Sequence, residues 1–109
     1  MTGREFIKHA PYFELLLEII DFAEEHLGVR SLYAVSSYIL GYEFALARAN
    51  HVELGIDRLV PLLEEIVRPE GVSFTRWPAS LIRQCGSEEA AYERFRELIA
   101  REAERERNE

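Results

Sequence analysis

The sequence predicts an all-α protein, and three observations predict it. Apolar residues recur at three- and four-residue spacing in separate stretches, as they do along one face of a helix. No stretch carries the apolar–polar alternation of a half-buried strand. The six glycines are dispersed, one per junction or helix. At 109 residues the chain fits a single domain spanning 1–109. The expected architecture is a compact bundle of four to five helices around a central apolar helix at about 31–50, with residues 1–9 and 104–109 frayed.

The first helix is predicted from about Pro11 to Leu27. Pro11 suits the first helical position, where its missing N–H would be unpaired anyway. Tyr12, Leu16, Ile19, Ile20, Ala23 and Leu27 form the buried stripe, widened by Phe13 and Leu17. Glu14, Glu18, Asp21, Glu24 and Glu25 make the other face, and Gly28 stops the helix. Ser31 is the N-cap of the second helix, Leu32 to about Asn50. One of its faces carries Leu32, Val35, Ile39, Tyr42, Leu46 and Ala49; a second row holds Tyr33, Leu40, Phe44 and Ala47. A helix apolar on more than one side is expected at the centre of a fold. Ser37, Gly41 and Ala45 add a strip of small side chains. Gly41 costs about 1 kcal/mol relative to alanine in mid-helix, so close approach of a neighbouring helix is its expected compensation.

A connection at 51–56 contains Gly55 and leads to a third helix, Asp57 to Val67, with Asp57 as a cap, Leu59, Leu62, Leu63 and Ile66 buried, and Pro61 in about the first turn. Arg68 and Pro69 end it, and Pro-Glu-Gly at 69–71 is a turn. Residues 72–86 read as either helix or loop; in the helical reading Pro78 opens a short helix through about Gln84 that uses Leu81 and Ile82, and Gly86 closes it. The last helix starts at Ser87, with Glu88 and Glu89 against the positive end of its dipole and Ala91, Tyr92, Phe95, Leu98 and Ile99 facing the core. Beyond Ala103, alternating Glu and Arg predict fraying.

Composition narrows the function. Apolar residues at 48% and charged residues at 30% describe a globular chain rather than a disordered one. A net charge of −7 disfavours nucleic acid, whose phosphates it would repel, and fits a basic protein partner. The lone cysteine, Cys85, cannot form an internal disulfide; together with an N-terminus lacking a secretory signal and no apolar run long enough to span a bilayer, this predicts a cytoplasmic protein away from membranes. No metal or cofactor is expected. His9, His26 and His51 are far apart, and none follows a Glu by the three residues that helical di-iron sites use. Cys85 precedes a helix N-terminus that could stabilise a thiolate, but a small half-buried side chain at a helix end accounts for it. No serine lies in a Gly-x-Ser-x-Gly elbow, and no phosphate-binding glycine pattern occurs, so the chain is not expected to be an enzyme. The candidate partner-binding residues are therefore Glu14, Glu18, Asp21 and Glu25 on the acidic face of the first helix, with Tyr42 and Trp77 as aromatic anchors.

Two segments carry a resemblance. Ser31-Leu32, Tyr38-Ile39, Gly41-Tyr42 and Ala45 form one; Trp77, Leu81-Ile82, Ser87 through Tyr92, Phe95 and Leu98-Ile99 form the other. Together they resemble stretches of small, largely uncharacterised bacterial α-helical proteins. At 26–30 the chain reads His26-Leu27-Gly28-Val29-Arg30, unlike that group, so nothing tied to that run transfers. The resemblance implies an immunity or inhibitor role, in which the chain neutralises a basic toxin domain by direct binding. Two other functions stay open: a structural or homo-oligomeric scaffold, with a homodimer through the apolar row, and a small-molecule-binding helical domain with a pocket near Tyr42 and Trp77.

Overall fold

Leu16, Ile20, Leu32, Val35, Leu59, Leu81 and Phe95, drawn from five helices, are almost completely removed from solvent and define where those helices meet. A computed structural model of the chain describes residues 12–48, 56–67 and 76–108. Within them the order is α1 (Tyr12–Asp21), α2 (Ala23–Leu27), α3 (Leu32–Arg48), α4 (Ile56–Ile66), α5 (Trp77–Cys85) and α6 (Glu88–Arg107). The all-α bundle is as the periodicity predicts. The expectations for residues 1–9 and Pro11, for the Asp57 side chain, for Leu46, Ala47 and Ala49, and for the turn at 69–71 lie outside the described residues.

The helix ends follow local chemistry. Ser31 Oγ accepts the N–H groups of Tyr33 and Ala34 at 3.2 and 3.4 Å, and Ser87 Oγ accepts that of Ala90 at 3.1 Å, so both serines cap as expected. Gly28 and Gly86 adopt φ of 80° and 91°, the left-handed region that a side chain disfavours, and close α2 and α5. Pro61 lies in the second turn of α4, deeper than expected, with its ring on the exposed side.

The most extensive packing joins α1 to α6, which run antiparallel: Phe13 and Glu14 meet Glu106 and Arg107, while Ile20 and Asp21 meet Tyr92 and Arg96. Glu106 sits at the positive end of α1, where its Oε1 accepts the N–H groups of Phe13 at 3.0 Å and Glu14 at 3.3 Å. Those donors have no partner inside their own helix among the described residues, and a carboxylate both satisfies them and complements the dipole. Arg58 of α4 holds the same carboxylate at 2.9 Å and lies 4.8 Å from the centre of the Phe13 ring. The C-terminal segment 104–107, expected to fray, is therefore helical and engaged. Its alternating charges serve as a cap and an ion pair with α1 and α4.

Among the described residues, helix α3 touches α1, α2, α5 and α6, and these contacts bury one side of it. Leu32, Val35 and Ile39 are buried, whereas Tyr33 is 48% and Phe44 65% exposed. The second apolar row is thus turned toward solvent. Ser37, Gly41 and Ala45 are also exposed, and a Cβ built on Gly41 would meet nothing within 4 Å. The close helix approach expected at Gly41 is not made among the described residues. Glu43, the only carboxylate of α3, points inward at 4% exposure beside Tyr12. Burial, then the nearby charge of Glu43, push the Tyr12 hydroxyl far above the ordinary phenol range, so it stays protonated.

Two stability changes follow. Glu106→Ala removes the cap of α1 and should lower unfolding free energy by about 1–2 kcal/mol in urea denaturation; no change would mean that water serves the helix end equally well. Gly41→Ala meets no obstacle and should raise stability by about 0.5–1 kcal/mol, read as a higher midpoint with an unchanged m-value.

Candidate protein-docking site

The acidic face of the first helical segment is built as a by-product of burying its stripe. With Tyr12, Phe13, Leu16, Ile19, Ile20 and Ala23 inside, the intervening carboxylates are left toward solvent. The segment is not one continuous helix. Phe22 takes φ −120° and ψ 39°, outside the helical region, and separates α1 from α2. Its N–H still donates to the Glu18 carbonyl at 2.9 Å, and its own carbonyl accepts from His26 N–H at 3.0 Å. At this interruption the Tyr92 hydroxyl donates to the Ile20 carbonyl at 2.5 Å. Burial raises the Tyr92 pKa further above neutrality, against the opposing pull of the Arg30 guanidinium 4.4 Å from its ring centre, so the phenol remains a donor.

The result is an aromatic ring standing out of an acidic surface. Phe22 is 53% exposed, with Glu18 four residues before it and Glu25 three after. Four predicted carboxylates are on this segment, but their states differ. Glu14 is half-buried, 3.5 Å from Arg107 Nε; Asp21 accepts from Arg96 Nε at 2.6 Å and Nη2 at 3.2 Å. Both therefore already face arginines of α6. Glu18 is exposed, 3.4 Å from His26 Nε2. Glu25 is exposed and, with its neighbour Glu24, forms no ion pair among the described residues. The part of the predicted face available to a basic partner is centred on Glu18 and Glu25.

The two predicted anchors are placed elsewhere. Trp77 is fully buried against Phe95, with ring centres 4.8 Å apart, so it is a core residue and cannot touch a partner. Its indole N–H has no acceptor among the described residues. Tyr42 is half-buried in a stack on Tyr38, with ring centres 6.3 Å apart, and contributes to packing beside Tyr12. The exposed aromatic on this segment is instead Phe22, which the sequence places off the apolar stripe and next to Asp21.

No family model, curated protein or solved structure matches the chain. Other site types have less to work with. A surface hollow of about 300 Å³ is lined by Arg30, Glu88, Glu89 and Tyr92, but it is wide open, and Arg30 is already paired with Glu93. Among the described residues no three His, Cys, Asp or Glu side chains converge as metal ligands, and no helix is long and apolar enough to cross a membrane.

The geometry separates display from support. Phe22→Ala should change stability by less than about 0.5 kcal/mol, as for an exposed surface position. Tyr92→Phe should cost about 1 kcal/mol by leaving the Ile20 carbonyl without that donor. Thermal denaturation of the pair checks both; a large loss for Phe22→Ala would place that ring in the core.

Proposed function

We propose that this chain is a protein-binding module, without catalytic activity of its own, that docks a basic partner through Phe22 and the carboxylates around it. The observation that carries this is the exposed Phe22 ring set between Glu18 and Glu25 on a chain of net charge −7. An aromatic residue within a charged rim is the arrangement of an interface anchor: the ring fills an apolar pocket, and the rim charges speed and orient encounter. Asp21 and Glu14 add little, because their arginine partners cancel them at close range. The partner fitted to this surface presents lysine or arginine side chains around an apolar depression. In its finer form the proposal is an immunity-type protein occluding the basic domain of a bacterial toxin. The acidity and the residues resembling small bacterial helical proteins support that form.

Capture from the native host followed by association kinetics tests the proposal. Glu18→Lys with Glu25→Lys should slow association by about tenfold or more at low salt, and the wild-type rate should fall as salt rises. Phe22→Ala should instead speed dissociation by about tenfold or more. Unchanged association by the double charge reversal would overturn the electrostatic docking of a basic partner.

A further inference from the structure

His26 is the one histidine among the described residues, and it belongs to the acidic patch that displays Phe22. Its backbone N–H donates to the Phe22 carbonyl at 3.0 Å, which sets it one turn beyond the ring. Its Nε2 lies 3.4 Å from Glu18 Oε2, and both side chains are open to solvent. We propose that His26 makes the docking surface proton-sensitive: once cationic, its imidazolium holds Glu18 and competes with the basic partner for that carboxylate. The inference rests on the docking reading above and adds a regulation to it.

The charges around His26 leave Glu18 as its counterpart. Helix α2 packs against α1 and α3. From α1 come Glu18 and Asp21, and Asp21 is engaged by Arg96 Nε at 2.6 Å. From α2 itself come Glu24 and Glu25, both exposed. The link to α3 adds Arg30, which Glu93 and the Tyr92 ring hold on the α6 side. The described charges of α3 lie in its second half, Glu43 buried beside Tyr12 and Arg48 over Phe44.

An imidazole changes charge between about pH 5 and 8, a range over which ordinary carboxylates stay ionised. With His26 neutral, Glu18 is available to a lysine or arginine of the partner. With His26 cationic, Glu24 and Glu25 remain as the uncompensated carboxylates beside Phe22, and attraction of a basic partner falls with the local charge. An exposed pair of this kind contributes little to stability, so protonation acts on docking and not on the fold. Docking is therefore tighter at the higher pH.

A terminally blocked peptide with lysines flanking a leucine-rich centre tests the proposal, because its own charge is constant from about pH 5.5 to about pH 8. Its binding to the full chain is titrated at both ends of that range, at low salt, by fluorescence anisotropy with a pH-insensitive dye. Wild type should bind about two- to threefold more weakly at the lower pH. The net charge of −7 counts all three histidines as neutral, so His9 and His51 also add charge on acidification. The variants isolate the local part. His26→Gln should lose much of the pH dependence, and His26→Lys should bind weakly already at the higher pH. Glu18→Lys with Glu25→Lys separates the two readings. A peptide that binds this double variant as well as wild type, or binds neither, overturns the docking surface and this inference with it. Where the double variant binds more weakly, three results overturn the proton sensitivity alone: equal wild-type binding at both pH values, full pH dependence in His26→Gln, or wild-type binding by His26→Lys at the higher pH.

Discussion

The antiparallel seam between α1 and α6 is the contact on which the other features depend. It is made by apolar burial and fixed at both ends by polar groups. At one end Glu106 caps the first free N–H groups of α1 while holding Arg58 of α4. At the other, Tyr92 reaches the Ile20 carbonyl and Arg96 grips Asp21 in two-point fashion. Sliding α6 along α1 by one turn would break all of these contacts together, leaving the buried donor and acceptor groups at a cost that apolar packing alone would not impose. Directional end contacts thus convert a slippery apolar seam into a single register.

The same seam decides the electrostatics of the surface. Read along the chain, the first helical segment is a row of carboxylates with no basic residue inside it before His26. Folding brings Arg96 and Arg107 of α6 to its two ends, so Asp21 and Glu14 become intramolecular ion pairs. What remains is a smaller acidic patch at Glu18, Glu24 and Glu25. The break at Phe22 places an aromatic ring within it. Fixing that break through Tyr92 couples the display of the ring to the core, because Tyr92 itself is buried.

Helix α3 divides differently. Its ridge of Leu32, Val35 and Ile39 enters the core, and its single carboxylate follows them inward to Tyr12. The opposite side keeps two exposed aromatic rings and an open glycine. A helix apolar all round has two ways to satisfy the hydrophobic effect: more of its own chain on the second side, or another molecule. The molecule consequently has two surfaces of different character, one acidic with an aromatic centre and one largely apolar, with Arg48 lying over Phe44 at its end.

Most of the secondary structure was legible in the sequence, because it rests on local chemistry. Apolar spacing gave the helices; Ser31 and Ser87 gave two starts, and Gly28 and Gly86 gave two ends, each through backbone hydrogen bonds or φ angles that a residue and its near neighbours settle. The interruption at Phe22, the helicity of 104–107 and the burial of Trp77 were not legible. Each depends on a partner far along the chain: Tyr92 beside Ile20, Glu106 over the start of α1, and Phe95 against the indole. Periodicity shows that a helix has an apolar side but not which of two apolar sides will be covered, so it gave α3 a central place without showing that Phe44 would face water. The sequence by itself determined the helices, their caps and the sign of the surface. Tertiary structure alone decided which carboxylates kept their charge unpaired and which aromatic rings stayed outside, because those outcomes are set by distances between helices that no local pattern contains.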